Sequence, residues 1–281
     1  MVPRHFRCVV LVIAHRDAAY TPFKDMWEVH WNVYTTTVLH SMARFYLYND
    51  PDQREAVVPS PDGSSLTFPY EETYPAPGLL LKTMDAIQYL ANQNITYDHL
   101  LRTNLSSLFH WPAFVARLSL YGPEWSVAGV EYKPKHVSGM CLLLSGEMVG
   151  DLTRNREKLD FATPDDHAIA LYLLEHHPDL QYHQIPSITI QRPSDVLFHR
   201  AYGWLCGFRH LVHICFYSGY GVSGNRHVDH DNMRVMQQIL AEGDPQQHYV
   251  LYGVITLGII VVTFMVYMCR LRKDVHPNPK K

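Results

Sequence analysis

Apolar positions bunch along this chain, and the shape of each bunch predicts an element. Seven consecutive apolar residues, Cys8 to Ala14, are too few to span a membrane and predict a buried strand ending in the polar turn His15-Arg16-Asp17. Trp27, Trp31 and Tyr34 recur at near-helical spacing, predicting an aromatic helix over Phe23–Ala43. A short strand at Arg44–Tyr48 closes on Asn49-Asp50-Pro51, and the proline-rich stretch 51–78 reads as loop. Leu80, Met84, Ile87 and Leu90 share one side of a helix at Leu79–Ala91. Then follow a strand at His99–Arg102, a polar turn at Thr103–Ser107, a helix at Pro112–Leu120 and a strand at Ser126–Val130. Strand and helix in repeated alternation predict an α/β sheet domain with helices on both faces.

One bunch differs from all others. Tyr249–Cys269 is 21 residues without a charge, flanked by Tyr249, Tyr252 and Tyr267 and followed by Arg270-Leu271-Arg272-Lys273. About 20 apolar residues cross a bilayer, and aromatic belts with a basic flank mark its ends. The expected organisation is a domain over 1–245, a transmembrane helix over 249–269 and a basic tail over 270–281. The basic flank favours a domain outside the cell. The absence of a secretory signal ahead of so late a span favours a tail anchor with the domain in the cytosol, and the reading leans that way. The sequons Asn94-Ile95-Thr96 and Asn104-Leu105-Ser106 would take glycans only in a lumenal domain.

Charge sharpens this division. The residues after His248 hold five of the 24 Lys+Arg and one of the 27 Asp+Glu, leaving 19 basic and 26 acidic groups, a formal −7, on residues 1–248. So acidic a domain excludes nucleic acid as a main partner. The five Cys show no zinc-like spacing.

Ligands of α/β sheets collect where strands end. Here those ends are His15-Arg16-Asp17 and Arg102-Thr103-Asn104-Leu105-Ser106-Ser107. Arginines there suit phosphate, and the Asn and Ser side chains offer neutral hydrogen bonds. No P-loop, GxGxxG or GxSxG motif occurs. His227-Val228-Asp229-His230-Asp231 has metal-binding residue types but reads better as a solvated turn. Thr163-Pro164-Asp165-Asp166 has the form of a helix start, with Thr as N-cap and acids in the first turn. A carboxylate there, beside a cleft, could also serve as a general base.

Three segments, in order, resemble the β-1,3-galactosyltransferase and Fringe class. Leu79-Leu80-Leu81-Lys82-Thr83 followed by Tyr97–Ser106 resembles that family's Lys-Thr helix and its K-T-D-x-D turn. Ser138–Ser145 resembles its G-G-x-G-x-x-x-S segment, and Pro164-Asp165-Asp166 with Ile169-Ala170 its P-D-D-x-x-x-G segment. The Arg102-Thr103-Asn104-x-Ser106-Ser107 form is also similar to predicted glycosyltransferases of large DNA viruses and algae. The resemblance implies a GT-A-like sandwich with a mixed central sheet and a nucleotide-sugar donor, a UDP-sugar in the first instance. The acceptor would be a glycan or protein hydroxyl.

It also implies roles. His15, Arg16 and Tyr20 would lie near the nucleotide, Lys82 and Asp98 would flank the donor, and Asn104 and Ser106 would meet its sugar or diphosphate. Asp166 would deprotonate the acceptor hydroxyl in an inverting displacement, supported by Asp165. The chain departs from the family where two aspartates hold Mn²⁺: it has Asn104 and Ser106, and neutral oxygens bind hard cations such as Mn²⁺ or Mg²⁺ far less well. No cofactor is required by the sequence, and Arg16, Lys82 and Arg102 are the candidates to replace the metal's charge. Ala170 replaces the family's helix Gly. Two other readings stay open: a catalytically inactive member that binds a sugar or nucleotide, and a membrane-anchored interaction protein whose aromatic helix is an interface.

Overall fold

The apolar run from Cys8 forms the centre of a sheet in the computed structural model, which describes residues 4–71, 77–122, 124, 126–133, 136–206, 211–218 and 226–242. Strand β1 (Arg4–Ile13) leads through a 3₁₀ turn (Ala18–Tyr20) into α1 (Thr21–Tyr34) and then β2 (Met42–Asn49). Two short strands, β3 (Val58–Pro59) and β4 (Ser65–Phe68), form where loop was expected. They precede α2 (Gly78–Asn92), β5 (Ile95–Asn104), β6 (Ser107–Phe109) and α3 (Trp111–Leu118). The chain continues through β7 (Val127–Lys133), β8 (His136–Ser145), α4 (Gly146–Arg154) and α5 (Asp165–His176). It ends its described course with β9 (Tyr182–Gln184), β10 (Ser187–Ile190), α6 (Pro193–Cys206), β11 (His213–Phe216) and α7 (Arg226–Glu242).

Among the described residues the strands form an eight-stranded sheet, β3-β4-β2-β1-β5-β8-β7-β9, and a three-stranded sheet, β10-β11-β6. Strands β4, β2, β1 and β5 are parallel, whereas β8 runs antiparallel to β5. The α/β class and the mixed central sheet expected from the sequence are borne out. Strand β1 reads as a continuous apolar run because both its faces are covered. Cys8, Val10 and Val12 pack with Phe23, Trp27 and Trp31 of α1. Val9 and Leu11 pack with Leu80 and Met84 of α2 and Ile169 of α5.

Three boundaries move from their expected places. The aromatic helix stops at Tyr34, where Thr35, Thr36 and Thr37 follow and the Thr35 hydroxyl donates back to the Trp31 carbonyl. Such local bonds compete with continuation of a helix. The turn expected over Thr103–Ser107 narrows to Leu105–Ser106, because Thr103 and Asn104 finish β5 and Ser107 opens β6. The stretch His227–Asp231 is the start of α7, with Asp229 fully buried, instead of a solvated turn. Met233, Met236 and Leu240 continue the buried face of that helix. The apolar segment Tyr249–Cys269 lies outside the described residues. No helix among the described residues is long and apolar enough to cross a membrane.

The aromatic side of the core encloses histidines. Trp111 meets Trp31 at 5.1 Å and Phe109 at 5.0 Å between ring centroids. His30 lies 2.7 Å from the Phe109 carbonyl, and His213 packs 4.9 Å from the Phe109 ring. Burial lowers the pKa of His30, His99 and His110 below the ordinary value of 6.5. It lowers that of the fully buried His213 to about 3. These rings are therefore neutral in the folded protein, while the unfolded chain protonates them near 6.5. Their contribution is intact above that pH and is lost as pH falls toward the folded values, by up to about 1.4 kcal/mol per pH unit for each such group. Urea unfolding midpoints should accordingly fall between pH 7 and pH 5. His213→Asn, which keeps an acceptor for the Ser187 hydroxyl, should flatten that slope; an unchanged slope would remove His213 from the account.

Candidate active site

From β1 the chain moves to β2 and β4 on one side, then crosses to β5 on the other. Connections leaving neighbouring strands in opposite directions open a crevice at their carboxyl ends, where open α/β sheets bind ligands. Ile13 pairs in register with Asn104, so the segments after β1 and β5 emerge side by side.

On the β1 side, the His15 ring accepts from the Asp17 N–H at 2.9 Å, and the Asp17 carboxylate accepts from the Ala19 N–H at 2.8 Å. These bonds start the 3₁₀ turn and bring the Tyr20 ring to 5.3 Å from His15. Arg16 pairs with Asp50, the residue after β2, at 2.6 Å. A cleft of about 580 Å³ opens here, lined by His15, Arg16 and Tyr20 with Lys24, Tyr48 and Thr67 among its walls. The three residues assigned to the nucleotide from the sequence thus share one cavity.

On the β5 side, the Asn104 side-chain oxygen lies 3.1 Å from the Ser106 hydroxyl and 3.0 Å from that of Ser107. The turn is tied by neutral groups that satisfy one another. Asn104 and Ser106 do not fit a divalent cation, which needs several hard, mostly anionic oxygens. Among the described residues no group of three or more His, Cys, Asp or Glu could hold a metal.

Beyond the turn lies the most constrained part of the site. Arg102 Nε donates to Asp165 Oδ2 at 2.7 Å and Nη2 to Oδ1 at 2.9 Å, while Nη1 donates to the Gly139 carbonyl. Both partners are almost completely buried, with side chains 6% and 2% exposed. The Thr83 hydroxyl of α2 reaches the same carboxylate at 3.3 Å. Next to this pair, Asp166 accepts from the Gly139 N–H at 2.8 Å through Oδ2 and from the His167 N–H at 2.9 Å through Oδ1. Its carboxylate is thereby oriented at the start of α5, half-buried, beside the end of β5.

Several sequence expectations change here. Pro164, not Thr163, occupies the cap position of α5, and the Thr163 hydroxyl bonds the Asp160 carbonyl. The acids at this helix start serve Arg102 and Gly139. Arg102 is therefore a buried strut, not a group facing a diphosphate. Lys82, in α2 next to Thr83, has no exposed surface. Asp98 stands at the opposite end of β5, six residues before Asn104, about 20 Å along the strand, where it pairs with His5 at 3.2 Å. Lys24 and Tyr48 of the cleft were missed by sequence reading; being placed in an expected helix and strand, they carried no motif. The metal-like types of α7 were visible, but their use was not: Arg226 pairs with Asp229 at 3.1 Å and lies 5.3 Å over the Tyr20 ring.

These elements define the chain as an open-sheet α/β protein with a polar cleft where the end of β1 meets α1, β2 and β4. No family model matches the sequence. No curated protein is similar to it at a significant level. Among solved structures, a glycosyltransferase involved in the glycosylation of the major capsid of PBCV-1 is similar at a TM-score of 0.45 and 9% identity, over 81% of this chain and 98% of that one. The apo form of the glycosyltransferase GlyE of Streptococcus pneumoniae TIGR4 is similar at 0.37 and 12%, over 86% of this chain and 64% of that one. Likenesses this distant carry no functional argument; the site's geometry must.

Removing one member of a buried ion pair strands the other, at a cost of about 3–5 kcal/mol. Asp165→Asn and Arg102→Met should each lower unfolding stability by roughly that amount, whereas the two combined should lose clearly less than the two singly summed. Gly139→Ala would set a Cβ 2.6 Å from Arg102 Nη1 and 3.3 Å from Asp166 Cβ, so it should be destabilising as well. Urea denaturation of the four variants checks both statements.

Proposed function

We propose that the chain is a GT-A-like glycosyltransferase that moves a sugar from a nucleotide-sugar, a UDP-sugar in the first instance, to a hydroxyl acceptor. One observation carries the reading: a half-buried, rigidly oriented carboxylate, Asp166, is held on Gly139 beyond the carboxyl end of β5, on the side of the sheet where the polar cleft opens at the end of β1, and the Asn104–Ser106 turn leaves β5 at that same end. This is the spacing of tasks a transfer reaction needs: a donor held on one side and a base for the acceptor on the other. Asp166 takes the proton of the acceptor hydroxyl as its oxygen bonds to the sugar's anomeric carbon. The bond to the diphosphate breaks at the same time, and the diphosphate leaves with the electron pair. Each Asp166 oxygen accepts one backbone N–H and keeps a further lone pair for that proton. Attack from the side opposite the leaving group inverts the anomeric centre. The segment Tyr249–Cys269 is proposed to anchor the enzyme to a membrane.

A second reading, a sugar- or nucleotide-binding protein without turnover, is favoured by the neutral Asn104–Ser106 turn. A panel of nucleotide-sugars tested by calorimetry and by release of the nucleoside diphosphate separates the two, because binding without release supports the second. Under the first reading, Asp166→Asn should reduce turnover about 10²–10⁴-fold and leave UDP binding unchanged; full turnover in that variant would remove the base assignment. Activity should also persist in EDTA, and a strict requirement for Mn²⁺ would contradict the neutral turn.

A further inference from the structure

A leaving diphosphate brings negative charge to a site whose turn is neutral, so some cation must meet it. The arginines at this edge are occupied: Arg102 by Asp165, Arg16 by Asp50 and Arg226 by Asp229. Lys82 has no exposed surface. Lys24 differs from all of these. It lies one turn into α1, lines the cleft, and holds its ammonium 5.5 Å from the Tyr46 ring centroid and 5.9 Å from that of Tyr48. No carboxylate among the described residues lies within ion-pair distance of it. Aromatic faces attract and position a cation but accept none of its hydrogen bonds in the way an oxygen does. Three N–H donors thus stay available to an incoming anion.

The surroundings favour an anion at the same place. The amino end of α1, at Tyr20 and Thr21, opens onto the cleft and adds the positive end of a 14-residue helix. Asp25 is the one acid among the lining residues and makes no ion pair with Lys24. Ser65 and Thr67 on β4, with Tyr48 on β2, supply a floor of hydroxyl groups suited to a ribose or sugar.

We propose that Lys24 is a phosphate-binding residue of this cleft, supplying the charge that meets the nucleotide's phosphates. This rests on the nucleotide-sugar reading given above and deepens it by naming the group that recognises the anionic part of the donor. Lys24 binds and positions; it makes and breaks no bond.

Titration calorimetry with uridine, UMP and UDP on the full chain, Lys24→Gln and Lys24→Arg tests the assignment. UDP should bind the unaltered protein more tightly than uridine does. Lys24→Gln should weaken UDP by about 10- to 100-fold, the range of a charged hydrogen bond, with uridine unchanged. Lys24→Arg should recover most of the loss, and added salt should erode UDP binding in the unaltered protein more than in Lys24→Gln. Equal weakening of uridine and UDP would reduce Lys24 to a prop for Tyr48 and overturn the proposal, as would unchanged UDP binding in Lys24→Gln. If the unaltered protein binds UDP and uridine equally, the nucleotide reading survives and the Lys24 assignment fails. If it binds none of the three ligands, both fall together.

Discussion

The buried pairing of Arg102 with Asp165 is the interaction on which the site depends. Charges taken out of water are tolerated only when their hydrogen bonds are filled, and these are filled from three directions: both carboxylate oxygens, the Gly139 carbonyl and the Thr83 hydroxyl. In consequence β5, the start of β8, the start of α5 and the second turn of α2 are held to one another by a single charged knot. Asp166 inherits its position from that knot. Its neighbour in sequence is fixed by Arg102, and its own oxygen rests on the Gly139 N–H. Gly139 must lack a side chain because the guanidinium passes where a Cβ would be.

In the proposed reaction, binding and proton transfer are assigned to different halves of the sheet. Parallel strands β4, β2 and β1 with α1 build the cleft, and the β5–β8 pair with α5 builds the seat of Asp166. The halves meet where Ile13 and Asn104 lie in register. Neither half alone holds both the cleft and Asp166. What joins them is a turn two residues long, and its neutrality leaves the electrostatics of the crevice to the groups around it.

Periodicity and apolar runs made most of the frame legible. Strand β1, helix α2, helix α3 and the start of α5 lie within a residue or a few of their expected places, because each buries a face whose spacing is written in consecutive residues. The aromatic helix overran because Trp27, Trp31 and Tyr34 mark its face but not its end. The site was legible as a set of strand ends and a pair of acids. The partner of each charge was not, since Arg102 and Asp165 are 63 residues apart and only folding brings them together. Asp98 shows the same limit from the other side. It belongs to the same strand as Asn104, but its place came from the resemblance, and the strand-end rule that selected Arg102–Ser107 puts it at the far end.

The Asn104–Ser106 turn is gripped by both sheets at once. Asn104 completes β5 of the large sheet, Ser107 opens β6 of the small one, and the Ser106 carbonyl accepts from the Phe216 N–H at the end of β11. A loop on an open surface could exchange side chains freely. This one is a weld between two layers, and its hydroxyls and amide are part of the seam. Writing two aspartates into this turn would therefore disturb more than the turn: the new carboxylates would stand where Asn104 now accepts hydroxyls, and the small sheet would have to be refitted around them.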